Sequence, residues 1–250
     1  MTNATLEQLA QRRSVRQFTG AAIPEADLQT ILRTAQQAPN SVNGQQISLV
    51  VTRDKATIQQ IAAIAGGQPQ VASADVFITV VIDYQRPLEA ARLAGQTIAI
   101  PESAEGILVG AIDAGIMLNA LQTAAEALGY GTTAIGGIRR DPLAMAKLLG
   151  LPAHTFPVVG TTLGVIEQSK LSGVKPRVPL ESFALRERYD LEAVKQGVAD
   201  YDVQLRQWWD DHGLPQMPSY AASTAGYYQT IYFPHIARTL QAQGFAFKDE

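Results

Sequence analysis

The 250-residue chain has no cysteine. That absence excludes disulfides, zinc thiolates, iron–sulfur clusters and thiol redox chemistry. Charge is scarce as well. Asp, Glu, Lys and Arg make up 17% of the residues, against the usual quarter or so, and a thinly charged surface points to partial coverage by another subunit. Neither sign dominates: a formal net charge of -3 provides no basic field to recruit nucleic acid or an anionic membrane. Any anion must therefore be gripped locally. The opening MTNATLEQLAQRR lacks the apolar core of a signal peptide. It reads instead as an amphipathic helix carrying Leu6 and Leu9, and a cytoplasmic location is expected.

A membrane-length apolar run is also missing, although 104–128 comes near to one. From Ile107 to Leu121 the chain is apolar or small except at Asp113 and Asn119. Those two, with Gln122 and Glu126, interrupt the roughly 18 or more apolar residues a span requires. A helix apolar nearly all round is buried on all sides. At ~25 residues it would be roughly 37 Å long, long for the centre of one small domain. Burial against a second copy of the chain is the simpler expectation; a core helix within one chain is the alternative.

What is present reads as mixed helices and strands. The hydrophobic fraction of 46% is enough for a substantial core. Pro24 opens a helix with Leu28, Ile31, Leu32 and Ala35 at helical spacing, and Pro39 ends it. Strands are expected at 46–52, 74–82, 132–135 and 156–166, with helices at 54–65 and 141–149. Beyond 166 a polar, proline-containing loop (167–182) leads to a polar helix at 191–209 ending in Trp208 and Trp209. An aromatic-rich arm follows, with Tyr220, Tyr227, Tyr228, Tyr232 and Phe233, closed by a short helix near 234–243.

Four clusters carry candidate chemistry. Arg12, Arg13, Ser14 and Arg16 offer three guanidiniums and a hydroxyl within five residues, enough to hold a phosphate by forked hydrogen bonds; taken alone, the run reads more readily as solvated surface charge. In the turn Asn40–Gln46, the side chains of Ser41, Asn43 and Gln45 alternate, so an extended backbone would point them one way, as a row of donors and acceptors of the kind that suits a polar heterocycle such as a flavin. An ordinary turn is the alternative. In the run GYGTTAIGGIR (129–139), glycines let a flat ligand approach backbone amides without a Cβ in the way. These glycines follow a long helix rather than opening one, which rules out a dinucleotide-binding fingerprint. Lys175-Pro176-Arg177 places two cations around a fixed backbone, suited to a second clamp on a phosphate.

Together, RRSVRQF, AP-x-S-x-N-x-Q about 25 residues on, GGQ at 66–68, GYGTTAIGGIR and KPR resemble the nitroreductase / flavin reductase family, in its NADPH-dependent oxygen-insensitive branch. The motifs keep family order over roughly residues 5 to 245. The resemblance implies an α+β fold with a small, mainly antiparallel central sheet flanked by helices. It also implies an intertwined homodimer with FMN at the subunit interface. Residues 1–250 would form a single domain, with 183–250 as a helical C-terminal extension or arm.

The implied FMN residues are Arg12, Arg13, Ser14, Arg16, Lys175 and Arg177 at the phosphate and ribityl chain. Asn40, Ser41, Asn43 and Gln45 would stand beside the ring system. Gln68 would contact the flavin, and Ile135, Gly136 and Gly137 would lie along the ring near N5. Asn40 stands where the family often has serine. Electrons would pass from NADPH or NADH through FMN to nitroaromatics, quinones or flavins by a ping-pong cycle, with no metal and no protein nucleophile. His154, His212 and His235 are expected to be structural or exposed. Competing expectations are an FMN carrier or sensor without turnover, and a dehalogenase or dehydrogenase on the same fold. In the NADPH-preferring branch, basic residues follow a helix like Tyr201–Leu205; here that region offers only His212. A 2′-phosphate favours arginine, so the donor stays open.

Overall fold

The computed structural model describes residues 3–249. They divide into two compact units. The first holds Ser14–Leu171 together with the N-terminal residues up to Ala10 and the C-terminal segment from Phe233; the second holds Gln11–Arg13 and Ser172–Tyr232.

In the first unit the run VFITVVID forms strand β2 (Val76–Asp83), buried at every position but the last. Side chains alternate between faces along a strand. Val76, Ile78 and Val80 accordingly join one core with Leu28, Ile31, Leu121 and Leu163, while Phe77 joins another with Ile58, Ile61, Ile138 and Met145. A strand apolar on both faces has to be covered by helices on both. Around it lie β1 (Ile47–Thr52), β3 (Tyr130–Ile135) and β4 (Thr155–Val165), in the order β1-β2-β4-β3, with every neighbouring pair antiparallel. The α+β architecture with a small antiparallel sheet is as expected.

Helices α1 (Ala4–Ala10), α2 (Glu25–Ala35), α3 (Lys55–Ile64), α4 (Pro69–Ala72), α5 (Gln85–Leu93), α6 (Ala104–Ala127) and α7 (Pro142–Leu148) lie in this unit. Asp54 caps α3 by accepting from the Thr57 N–H at 2.8 Å, and Ser103 caps α6 by accepting from the Gly106 N–H at 3.0 Å. Each satisfies an orphan donor of the first turn. Helix α5 was not foreseen, because QRPLEAARL is polar overall and buries no residue.

Helix α6 has two unlike faces. Gly110 lets it approach the sheet, since a Cβ there would lie 2.8 Å from Ile82 Cδ1. Along the outer face, Leu108 (57% exposed), Ala111, Ile112 (52% exposed), Gly115 and Asn119 form a bare stripe at helical spacing. Only 28% of the most apolar window of this helix is buried within the chain. Leu6 and Leu9 of α1 are likewise exposed.

The second unit is built on α9 (Leu191–Asp211), with α8 (Leu180–Phe183) and α10 (Tyr220–Tyr228) against it. Gly197 makes the α8 contact fit, because a Cβ there would lie 2.0 Å from Ser182 Oγ. The Asp202 carboxylate accepts from the Ala221 N–H at 2.7 Å, and Tyr201 packs edge-on to Tyr220 with ring centres 5.0 Å apart. The stretch expected as one arm is thus divided. Phe233 onward, with α11 (Ile236–Ala242), belongs to the first unit, where Leu240 and Phe245 pack with Ile82, Tyr84 and Phe156.

Candidate functional site

The end of β3 brings Gln68, Ile135, Gly136 and Gly137 into one small region. Ile135 is 1% exposed and anchors the strand in the core beneath α3 and α7. The chain then turns through a 3-10 segment, Gly136–Arg140. A Cβ on Gly137 would lie 2.4 Å from Gln68 Nε2 and 2.7 Å from the Ala65 carbonyl oxygen. Only glycine fits there without displacing backbone. The Gln68 amide donates to Ala65 O at 3.0 Å and accepts from Gln70 at 2.6 Å, so its orientation is held at both ends. Gly66 and Gly67 precede it at φ +90° and +73°, a conformation other residues rarely adopt. Arg139 bonds the Val158 carbonyl and lies 5.3 Å from the centre of the Phe233 ring.

Ser14 and Arg16 are positioned by the residue between them. Val15 is buried, its N–H donates to Thr132 O at 2.8 Å, and its carbonyl accepts from the Thr133 hydroxyl. Gly131 permits this crossing, since a Cβ there would lie 2.6 Å from Val15 Cγ1. With Val15 turned inward, the exposed Arg16 is held at the margin of the sheet beside β3.

The turn before β1 differs from expectation. Ser41–Asn43 is a 3-10 turn, and Val42, Asn43 and Gln45 have φ of +49°, +53° and +51°. The backbone is left-handed, not extended, so alternation does not align Ser41, Asn43 and Gln45 as a strand would. The turn forms because buried Asp113 of α6 accepts from the Ser41 N–H at 3.1 Å and from Gln46 Nε2 at 2.5 Å. Asn40 Oδ1 also accepts from the Gln45 N–H at 2.9 Å. Each left-handed non-glycine residue costs about 1–3 kcal/mol, and Val42, branched at Cβ, is the least suited of the three. Asn40, Asn43 and Gln45 line a polar cavity of about 540 Å³ with Gln36, Arg86 and Asp113. Burial, together with the charges of Asp113 and Glu105, pushes the Tyr84 hydroxyl up to about 12, and that hydroxyl donates to the Gly106 carbonyl at 2.6 Å.

Neither Gln68 nor Ile135–Gly137 lines that cavity. β1 and β3 are opposite edges of the sheet, three strand spacings or about 14 Å apart. The site residues of the first unit therefore fall into two groups flanking opposite edges.

Arg12, Arg13, Lys175 and Arg177 belong to the second unit. Arg13 donates to Ser172 O at 3.1 Å, Lys175 Nζ lies 4.4 Å from the centre of the Trp209 ring, and Arg177 folds back onto the carbonyls of Lys175 and Pro176. His212 stacks on Trp208 at 3.9 Å, and its Nδ1 meets the Trp208 carbonyl. His154 packs edge-on to Phe245, a structural setting like that foreseen for it.

Comparison with known proteins is decisive. The nitroreductase family model matches residues 9–165, and the model of its C-terminal domain matches 175–248. The chain belongs to the nitroreductase family. Among relatives of this nitroreductase, an FMN reductase [NAD(P)H] of Bacillus subtilis is 34% identical over 246 residues, 97% of this chain and 98% of that protein. Among solved structures, nitroreductase A from Vibrio parahaemolyticus superposes with a TM-score of 0.88 at 31% identity, over 99% of this chain and 100% of that one. The NADPH:FMN oxidoreductase of Vibrio harveyi, solved with NAD+, gives 0.84 at 30% identity, over 98% and 99%.

Two residues that shape the turn before β1 in this nitroreductase were not singled out as candidates in the sequence. Asp113 registered only as an interruption in an apolar helix, yet a lone acid there was itself the signal of a buried partner. Arg86 donates to Gln45 O and Ile47 O, both at 2.9 Å, and to Ser48 Oγ at 3.0 Å. No local pattern marks it, because its partners lie about 40 residues away.

Proposed function

We propose that this nitroreductase is an NAD(P)H-dependent FMN oxidoreductase working as a homodimer on small electron-poor acceptors such as nitroaromatics, quinones or free flavin. The observation that carries the reading is the close approach of Gly137 to Gln68 and Ala65. It leaves a side-chain-free stretch of backbone beside an oriented amide, which suits a flat heterocycle with alternating donors and acceptors. FMN, when bound, supplies the two-electron chemistry that links donor and acceptor in separate half-reactions.

The protein's part is to bind and orient. The Gln68 amide and the Gly136–Gly137 backbone receive one side of the ring system, with Ile135 fixing the strand behind them. Asn40, Ser41, Asn43 and Gln45 receive the other side. The two groups flank opposite edges of one sheet, so a single flavin meets both when the second comes from a partner copy. In the bare stripe, Leu108, Ala111, Ile112 and Gly115 supply an apolar surface for that pairing. Arg12, Arg13, Ser14, Arg16, Lys175 and Arg177 provide the cations and hydroxyl for the phosphate. The whole chain then acts as one catalytic domain with a C-terminal extension, in the cytoplasm. The lack of an arginine between Trp208 and Tyr228 favours a donor preference that does not rest on a 2′-phosphate clamp there.

Steady-state rates with both substrates varied test the reading. Parallel double-reciprocal lines are expected, and lines that converge contradict the ping-pong cycle. The double variant Arg16→Ala/Lys175→Ala should lose its FMN on gel filtration; stoichiometric retention contradicts the phosphate assignment.

A further inference from the structure

Resting on that reading, we propose that Arg86 is a positioning residue that holds the Asn40–Gln46 turn in its left-handed form for the flavin.

Three features of the turn support this. Its backbone is in an unfavourable region at three non-glycine residues, Val42, Asn43 and Gln45, so an outside restraint has to select that conformation. Asp113 supplies a restraint at the start of the turn, through the Ser41 N–H, and again at Gln46. The last left-handed residue, Gln45, has its carbonyl held by Arg86, which grips Ile47 O with the same Nη1 and Ser48 Oγ with Nη2. The planar fork fixes the two carbonyls on one nitrogen and the Ser48 hydroxyl on the other in a set geometry, whereas a lysine ammonium, a single point on a flexible stem, would hold them less rigidly. Asp83, 3.8 Å away, accompanies the guanidinium and also receives the Ser48 hydroxyl, so the clamp is set before any ligand arrives. Val42 itself is 94% exposed and makes no packing contribution that would justify its conformation. Asn40 Oδ1 and the Ser41 carbonyl brace the turn from within, and the clamp adds the restraint on the Gln45 carbonyl that they leave unmade.

Three variants are compared with the parent protein in FMN titrations of the flavin-free form, followed by visible circular dichroism of the bound flavin and by melting. Arg86→Ala should raise the FMN dissociation constant at least tenfold and change the flavin dichroism, and Arg86→Lys should give an intermediate loss. Adding Val42→Asn to Arg86→Ala should recover most of the lost affinity and the parent dichroism, because asparagine accepts the left-handed region readily. A merely structural role for Arg86 leaves that rescue without effect. Unchanged affinity and dichroism in both Arg86 variants overturn the proposal, as does a loss that Val42→Asn does not repair. Should Arg86→Ala not fold, Arg86→Lys with and without Val42→Asn decides by the same criterion. A parent protein that takes up no FMN overturns the proposed function instead, which keeps the two failures apart.

Discussion

The backbone at the end of β3 and the turn before β1 stand in contrast. At the first, glycines remove side chains so that backbone and amide can pack closely, and Ile135 and Ile138 sink into the core. At the second, non-glycine residues are held in a glycine-like conformation by hydrogen bonds donated to Asp113 and by Arg86, and Val42 is left in solvent. One group owes its shape to packing within its own chain. The other is a strained projection held ready by polar restraints, an arrangement suited to a ligand reached from outside. Preorganisation can thus come from removing atoms or from restraining them, and the two respond differently to mutation.

Gly137→Ala strikes the packed group and should have the largest effect. Its Cβ meets the Ala65 carbonyl as well as the movable Gln68 amide, an overpacking that costs about 1–3 kcal/mol. That lowers Tm by roughly 2–4 °C per kcal/mol in a chain this long and strips FMN. A parent-like melt with parent-like FMN uptake would show that the close approach is dispensable.

Ile112→Glu strikes the link between the groups instead. It removes an apolar contribution of about 1.5–3 kcal/mol from each copy and sets like charges close together. Sedimentation should show a monomer with its helical circular dichroism intact and weakened FMN binding; a variant that stays dimeric moves the interface elsewhere.

Val42→Asn alone relieves the strained turn and should stabilise the chain by up to about 1 kcal/mol. A lower Tm contradicts the claim of strain.

Smallest is the effect of acid on Asp75, a carboxylate bonded to neither group. Burial would raise the Asp75 carboxyl, but the Ile23 N–H and the cations of Arg53 and Lys55 hold it below the ordinary carboxylate value. A lowered folded-state value gives stability that is present above the unfolded pKa of about 3.9 and lost as pH falls through the folded one. Asp75→Asn should therefore flatten the fall of Tm below about pH 4, and an equally steep fall removes Asp75 from the account.

The contrast also marks what was legible in the sequence. β2, α2, α3 and α6 could be read because burial writes itself as local apolar rhythm, as in VFITVVID. The glycines at 136–137 stood out in the sequence as room for a flat ligand, whereas the close approach at Gly137 is to Gln68 and Ala65 of the same chain. The turn at 41–45 misled because Ser, Asn and Gln at alternate positions say nothing of φ, and the restraints that set it come from Asp113 and Arg86, about 70 and 40 residues away. Helix α5 was missed for want of any buried face. The division at Phe233 likewise followed from long-range packing of Leu240 and Phe245 on Tyr84 and Phe156, contacts no local pattern predicts.

The central claim, that this nitroreductase binds FMN and reduces it with a nicotinamide donor, is tested most directly by the visible spectrum of the purified protein during anaerobic addition of NADPH and then NADH. The account predicts a yellow protein whose flavin absorbance bleaches rapidly with at least one donor and returns when an acceptor is added. A protein that stays colourless after incubation with FMN, or a bound flavin that neither donor bleaches, would contradict it.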